Sequence, residues 1–438
     1  MTHPSALRAS TMKFDPAYPV HHLVKCGRIA RCQVCDSGKV HLVLDLGHQP
    51  MCGSMLTKER LDQPEMAYPL RLCWCEDCSL AQIDYCVDGS EVFFPDYPYR
   101  SGITRELQEY QVNISRSLIS RYGLSASDLV VDIGSNDGTL LSGFKRDGVR
   151  VLGVEPTKIA KYAIEAGIDT ENDFFTIKTA GRILAKHGPA SLITSTNMFA
   201  HMATIGEVVK GLELLLRDDG VFVSETHYLL DVVQGGQFDT VYHEHLRTYS
   251  LKSLIRLFDY YNFTVIDVER GSRYGGNIRV HVQKGKGRAV SRNVADLLDL
   301  ERDSGLYDLP TYQKFAERVK RAKFEFLNFL IRLRREGKTV VGNSCPGRCS
   351  TLLNYYGIDP EWMPYLAEQP TSLKLNMYLP GKHIPVVNNE ILIREQPDYV
   401  VLLAWHYAGP IMEQLRARGL KSHFIIPLPD FTVVENKS

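Results

Sequence analysis

The run Leu129-Val130-Val131-Asp132-Ile133-Gly134-Ser135-Asn136-Asp137-Gly138 decides the fold. A short apolar strand enters a tight turn with two glycines, and Thr139-Leu140-Leu141 then opens a helix. Small residues in such a turn let backbone amides approach a ligand closely. The turn also carries Asp132 and Asp137, acids that a phosphate-binding turn avoids. Asp132 suits the ammonium of an amino acid, so the expected ligand is S-adenosylmethionine, with its zwitterionic methionine part, and not a dinucleotide. The following strand, Val151-Leu152-Gly153-Val154, ends at Glu155. That is about 20 residues beyond the turn, where an acid takes the hydroxyls of a ribose. Glycine turns after strands are common, and the placement of Glu155 is what makes this one specific. The expected cofactor-binding set is Asp132, Gly134, Asn136, Asp137, Gly138, Glu155 and, after a later strand, Asn197.

Around this turn, short apolar strands alternate with helical stretches: Leu129 to Ile133, Val149 to Val154, Ser191 to Thr194, Gly220 to Ser224 and Phe263 to Val268. Alternation of this kind predicts an α/β sheet of mainly parallel strands, a Rossmann-like methyltransferase domain over 101–287. A capped helix from Thr104 to Tyr122 leads into it. Residues 288–337 interleave charges with Leu, Phe and Ala, which predicts one long amphipathic linking helix ending at Gly337. Lys338 to Gly342 then starts a second strand-turn-helix. Further strands at His383 to Val387, Tyr399 to Ala404 and His423 to Ile426 predict a second α/β domain over 338–438. Residues 1–27 read as a tail, and 28–100 as a small metal-stapled module.

The chain has 438 residues, and its 51 basic side chains equal its 51 acidic ones. A balanced charge offers no field for nucleic acid. No stretch reaches the roughly 18 apolar residues of a membrane span, and the N-terminus lacks a leader's apolar core, so no membrane partner and a cytoplasmic location are expected. Seven of the ten cysteines lie from Cys32 to Cys86, with Cys26 just before them. Cys32 and Cys35 form one CxxC and Cys75 and Cys78 another, so two tight turns each aim a thiolate pair at one tetrahedral ion. Four thiolates close the coordination sphere, so the expected metal is a structural Zn2+ and not a catalytic one. Cys73 is too close to Cys75 to join them. The segment is acidic and lacks a basic recognition helix, which speaks against a nucleic-acid zinc finger.

Asn197-Met198-Phe199-Ala200-His201 follows one sheet strand and Glu225-Thr226-His227-Tyr228 another. Both fall at the sheet end where such folds hold their ligands. Tyr242-His243-Glu244-His245 comes next. Making a carbon–carbon bond from a sulfonium methyl needs a base beside a carbonyl and donors for the enolate oxygen, and histidine with tyrosine supplies both. A zinc HExxH places two histidines one helical turn apart. Here His243 and His245 flank Glu244 at alternate positions, which favours catalysis over metal binding. In a strand the two histidines would share a face, with Glu244 opposite.

Taken together, these motifs resemble the zinc-containing sugar C-methyltransferases of the tetronitrose and mycarose type. The resemblance runs from about Arg31 to Phe431. It includes LDLGHQPM (Leu44 to Met51), CEDCSLAQ (Cys75 to Gln82), YPYRSG (Tyr97 to Gly102), VDIGSNDGTLL, NMFAH, YHEHLRTYS (Tyr242 to Ser250) and YGGNIRV (Tyr274 to Val280). TLLNYYGI (Thr351 to Ile358), YLPGKHIPV (Tyr378 to Val386) and PDYVVLLAWHY (Pro397 to Tyr407) extend it. It implies methyl transfer to C3 of a 4-keto-deoxysugar on a nucleoside diphosphate, usually thymidine diphosphate. By position, His245 would be the base, oriented or charge-balanced by Glu244, with Tyr99, His201, Tyr242 and Glu244 around the sugar. A monomer or small homo-oligomer is expected.

The last domain departs most from this pattern. Gly342-Asn343-Ser344-Cys345-Pro346-Gly347-Arg348-Cys349-Ser350 replaces a small glycine loop ending in Lys-Gly-Asn, with Arg348 as a candidate cation for a diphosphate. Leu366-Ala367-Glu368 stands where an Asp-containing strand end is usual, and Asn277 replaces a common serine. Methylation of another acceptor at oxygen, nitrogen or an unrelated carbon is the alternative chemistry, and a non-catalytic zinc and nucleotide-binding module the alternative class.

Overall fold

A computed structural model describes residues 26–93, 100–102 and 104–436. The N-terminal module is an antiparallel sheet of β1 (Val40–Pro50), β2 (Ala67–Cys75) and β3 (Ala81–Ile83). The central region follows with α1 (Arg105–Tyr122), β4 (Leu129–Ile133), α2 (Thr139–Arg146), β5 (Arg150–Val154), β6 (Thr170–Glu171), β7 (Ala190–Thr196) and β8 (Leu216–His227). It continues through β9 (Arg247–Thr248), β10 (Phe263–Gly271) and β11 (Asn277–Lys284). Helices α3 (Arg292–Asp303) and α4 (Leu309–Arg335) cross to the C-terminal region. There β12 (Val340–Asn343), α5 (Gly347–Tyr356), β13 (Leu366–Glu368), β14 (Val386–Asn388), β15 (Tyr399–Leu402), β16 (His423–Ile426) and β17 (Thr432–Val434) complete the chain.

The central sheet has seven strands in the order β10-β11-β8-β7-β4-β5-β6. It is parallel except for β11, which runs antiparallel to both of its neighbours. Every residue of β4 is buried. Leu129, Val131 and Ile133 pack with Ile183, Ile193 and Val209, whereas Val130 packs with Leu118 of α1 and Leu140 and Phe144 of α2. Side-chain alternation on a strand covered from both sides favours apolar residues on both faces, hence the apolar reading of this run up to Asp132, whose buried carboxylate is bonded by the Thr194 hydroxyl. Helix α1 begins where the Thr104 hydroxyl accepts the Leu107 amide at 3.3 Å and ends at Gly123 in the left-handed region, φ +60°. It lies so close to α2 that a Cβ on Gly143 would sit 2.0 Å from Ser115 Oγ.

The second sheet has the order β14-β13-β12-β15-β16-β17 and is parallel except for β17. Both parallel sheets thus reverse direction beside their first strand, between β4 and β7 and between β12 and β15. In the N-terminal module, β9 joins the sheet by pairing Arg247 with Gln82 and Thr248 with Ala81, so the central region supplies the module's last strand.

Two expectations about elements change: the strand expected at His383 to Val387 is β14 (Val386–Asn388), with His383 at φ +55° outside it, and the linking helix is broken. Residues 288–337 are not one helix: α3 and α4 are separated at Ser304 to Asp308. Gly305 there takes φ +69°, and Pro310 stands in the first turn of α4. Glycine ends a helix cheaply and proline suits a first turn, so the two residues interrupt the pattern together. Among the described residues, no helix is long and apolar enough to cross a membrane.

Candidate functional site

The carboxyl ends of both parallel sheets open onto one cavity of about 860 Å³. This is where doubly wound sheets hold ligands, at the point where strand order reverses. On the central side the turn after β4 is built by its special residues. Gly134 has φ +73°, and a Cβ there would lie 2.6 Å from Met198 Cγ. Asn136, at φ +52°, belongs to the residue type that tolerates this region best after glycine. The Asn136 amide donates to Glu155 Oε2 at 3.0 Å, and the Thr157 amide and hydroxyl donate to Glu155 Oε1 at 3.0 and 2.7 Å. Asn136 Oδ1 accepts the Ser101 amide at 2.8 Å, and Asp137 accepts the Gly102 amide at 2.9 Å.

Gly134, Asn136, Glu155 and Asn197 line the cavity. Asp132 does not: it is 2 % exposed, accepts the Thr194 hydroxyl at 2.7 Å, and sits behind the turn. Burial and the nearby Glu155 charge push its carboxyl up to about 7. Asp137 and Gly138 also lie behind the wall. A Cβ on Gly138 would come within 2.9 Å of Ala163 and Ile168 side chains, so this glycine serves packing against the next helix. Asn197, at φ +54°, has a buried Oδ1 with no hydrogen-bond partner.

Four rings also line the cavity. His245 lies 3.9 Å from Tyr242, 4.8 Å from His201 and 4.9 Å from His227, centroid to centroid. Its Nδ1 donates to the Thr240 carbonyl at 2.6 Å. A carbonyl only accepts, so the proton is on Nδ1 and the Nε2 lone pair is free to act as a base. Burial and the Arg348 guanidinium lower its pKa to about 4, which keeps the ring neutral near pH 7. His201 stacks on Phe93 and is held neutral by burial and by His245. Its Nδ1 is buried without a partner. His227 is likewise kept neutral by burial and by the charged and histidine groups around it.

Glu244 lines the same cavity and accepts the Cys52 thiol at 3.1 Å. The Thr240 carbonyl holds the His245 ring. The segment 242–246 is a turn rather than a strand, so His243 and His245 part company. His243 Nε2 donates to the Pro69 carbonyl at 3.2 Å, and the ring packs on Tyr68 of the N-terminal module. Glu225 leaves the cavity as well, paired with Arg279 at 2.6 Å and bonded by Tyr110. Tyr99 lies outside the described residues.

The C-terminal wall holds side chains that motif spacing could not place there. Arg348 is 6 % exposed, and its donors are all engaged. It makes a two-pronged contact with Asp239 at 2.8 Å on each oxygen and reaches Gln237, the Tyr274 carbonyl and His406 at 3.1, 3.2 and 3.4 Å. Trp405 also donates to Asp239, at 2.8 Å. The cation is spent on fastening α5 to the central region and leaves no N–H for a diphosphate, so that expectation is corrected. Arg273, Lys374, Glu368, His406 and Tyr407 complete this wall. Glu368 ends β13, and His406 and Tyr407 follow β15 within the Pro397 to Tyr407 motif, whereas nothing local in the sequence marks Lys374.

Away from the cavity, the sulfurs of Cys32, Cys35, Cys75 and Cys78 all lie within 4.8 Å of one another. The Cys32–Cys78 and Cys35–Cys75 separations are both 3.5 Å. A tetrahedron of Zn–S bonds near 2.3 Å requires sulfurs spaced about 3.8 Å apart, so the set fits zinc. The two CxxC turns match: Asp36 and Ser79, each following a second cysteine, have φ +55° and +58°. Zinc bound there ties β2 to the segment before β1, and Cys73 stays outside the set with its thiol pushed up to about 12 by burial.

Three sequence families match the chain in order: a zinc binding domain over residues 32–93, a methyltransferase domain over 105–268 and a C-methyltransferase C-terminal domain over 272–429. The chain is 32% identical over 415 residues to the C-methyltransferase NovU of Streptomyces niveus, covering 94% of this chain and 98% of that one. Among solved structures, a SAM-dependent methyltransferase from Anabaena variabilis is 14% identical over 43% of this chain and 88% of its own, with a TM-score of 0.34. The 1,6-didemethyltoxoflavin-N1-methyltransferase of Burkholderia thailandensis is 18% identical over 41% and 80%, with a TM-score of 0.32.

Proposed function

The chain belongs to the zinc-containing C-methyltransferase family, and from that premise we propose that it methylates C3 of a 4-keto-deoxysugar carried on a nucleoside diphosphate, with His245 as the base. The observation that carries this reading is the tautomer of His245, set by the Thr240 carbonyl, which leaves Nε2 as an acceptor in the cavity. Bound S-adenosylmethionine supplies an electrophilic methyl group, leaving S-adenosylhomocysteine. Glu155 and the turn at Gly134 to Asn136 hold its ribose and amino-acid ends. The 4-keto group acidifies the neighbouring C–H. Nε2 of His245 takes that proton, the C–H pair moves into the C3–C4 bond, and the carbonyl pair moves onto oxygen.

Burial and the Arg348 guanidinium disfavour the His245 cation and make it a weak base in the free protein. The enolate formed beside it reverses that balance, since a neighbouring anion stabilises an imidazolium. Tyr242 and His201 flank His245 and supply hydrogen bonds to the sugar, and Glu244 and Tyr99 are assigned to its hydroxyls.

Incubation with S-adenosylmethionine and a panel of nucleoside-diphosphate 4-keto sugars in deuterated water tests the reading. A product whose new methyl carbon is bonded to carbon in the NMR spectrum is expected. Methyl transfer to oxygen or nitrogen, or a His245→Asn variant that keeps normal turnover and solvent exchange, would overturn it.

A further inference from the structure

Enolisation leaves a negative charge on the C4 oxygen, and His245 answers only for the proton on C3. The proton and the oxygen sit on neighbouring carbons, so a donor for that oxygen has to stand beside the base. His227 does: its ring centre is 4.9 Å from that of His245, and both rings line the cavity. Its other ring contact is Tyr274 at 6.2 Å, and among the described residues neither of its nitrogens has a hydrogen-bond partner. His201 also lies near the base, but its ring is stacked on Phe93 and its Nδ1 is buried.

The position is a rigid one. His227 is the last residue of β8, and its backbone pairs with Asn277 of β11 in the central sheet. Just before it the Glu225 carbonyl accepts the Asn197 amide at 2.7 Å, which joins this strand end to the cofactor side. The next residue, Tyr228, is buried and donates to Glu301 at 2.9 Å. A donor fixed before the charge forms needs no reorganisation when it does. A neutral imidazole carries one N–H and one lone pair. Burial keeps His227 in that neutral form, and His245 and the Arg348 guanidinium act the same way. Such a ring polarises a carbonyl without giving up its proton.

We propose that His227 is a catalytic residue whose ring N–H bonds the C4 oxygen as the enolate forms. The proposal rests on the sugar C-methylation reading above and supplies its oxyanion side. His245 Nε2 takes the C3 proton, the C–H pair becomes the C3–C4 π bond, and the carbonyl π pair moves onto oxygen. There the His227 N–H bonds it and keeps its own proton. No methyl moves in this step, so it runs with S-adenosylhomocysteine in the cofactor site and shows as exchange of the C3 proton with solvent. The bond is strongest once charge has developed, so its loss falls on kcat and little on KM.

Deuterium exchange at C3 measures the step directly, on the zinc-loaded full chain with S-adenosylhomocysteine bound in deuterated water. The probe is a panel sugar that the wild-type chain methylates, beginning with a thymidine-diphosphate 4-keto-deoxysugar. His227→Phe keeps a ring and removes the donor. It should slow exchange, and kcat in the full reaction, by about 10²-fold or more, with KM within about threefold and an unchanged melting temperature. The better of His227→Asn and His227→Gln, which restore an N–H without a ring, should recover at least about tenfold of that loss. A residue that merely packs gives the opposite order, because phenylalanine replaces the ring better than an amide does. If His227→Phe folds poorly, His227→Met removes the donor in its place. Exchange at the wild-type rate in the donor-free variant, or amide variants no faster than it, overturns the role of His227 and leaves the C-methylation reading standing. Neither exchange nor methylation by the wild-type chain on any sugar of the panel overturns both.

Discussion

The four cysteines of the N-terminal module and the histidine cluster of the cavity look alike as composition, since each is a set of potential ligands brought to one place. They differ in what their atoms lack. The cysteine sulfurs face one another at 3.5 Å with the turns around them matched, so one ion completes the set and nothing further can enter. In the cavity His245 has one nitrogen committed and one free, while His201 Nδ1 and Asn197 Oδ1 are buried without partners. Buried polar atoms without partners are costly and rare in a folded chain. A closed set is therefore structural, and an open set next to a cavity is where a substrate completes the bonding.

The contrast breaks first at the metal. Small zinc sites bind with roughly 10 kcal/mol or more, so Cys75→Ser or a strong chelator should produce the largest effect. Loss of about one zinc per chain by elemental analysis, with a melting temperature lower by ten degrees or more, is expected. A metal-free chain with unchanged melting would show the set is not closed by zinc.

Next comes the clamp between the two parallel sheets. Asp239→Asn leaves Arg348 buried with its charge uncompensated and should cost about 3 to 5 kcal/mol in urea unfolding. Adding Arg348→Met should recover much of that loss; no recovery would mean the pair is not the unit.

His245→Asn should lower turnover by about 10² to 10⁴ with an unchanged melting temperature. Its neighbour gives the sharpest control. His243 bonds the Pro69 carbonyl and packs on Tyr68 of the zinc module, so His243→Gln should cost about 1 kcal/mol of stability and leave turnover within about twofold. Equal losses from the two variants would erase the distinction between them.

The remaining effect is on pH. His243 and His245 both titrate near 4 when folded, below their usual 6.5. Between those values the unfolded chain binds more protons, so this contribution to stability is complete above pH 6.5 and declines as pH falls toward 4. Melting temperature should drop across that window and be insensitive to these groups above it. His245 itself stays neutral above that window, so with His245 as the proposed base kcat/KM should hold between pH 6 and 8.

Local features were legible because their geometry is local. The strand Leu129 to Ile133, its glycine turn and each CxxC hold most of their own information within a few residues. Glu155 was legible because a parallel strand-helix-strand unit fixes its spacing. Residues whose meaning depends on distant partners were not. Arg348 reads as a free cation until Asp239, 109 positions earlier, is found beside it. Asp132 reads as a ligand acid until Thr194 from β7 takes its oxygen. The break between α3 and α4 was written in Gly305 and Pro310, but the amphipathic pattern on either side outweighed it.

The sequence alone determined the α/β class, the cofactor turn, the four-cysteine metal set and the segment holding the cavity's histidines. Each follows from backbone conformation or periodicity over short distances. Tertiary structure alone decided that His245 faces the cavity while His243 faces the zinc module, that Thr240 sets the tautomer, and that a second acid-bearing switch point opposes the first. Side-chain direction in a turn and pairing across hundreds of residues come from packing, and packing is not local.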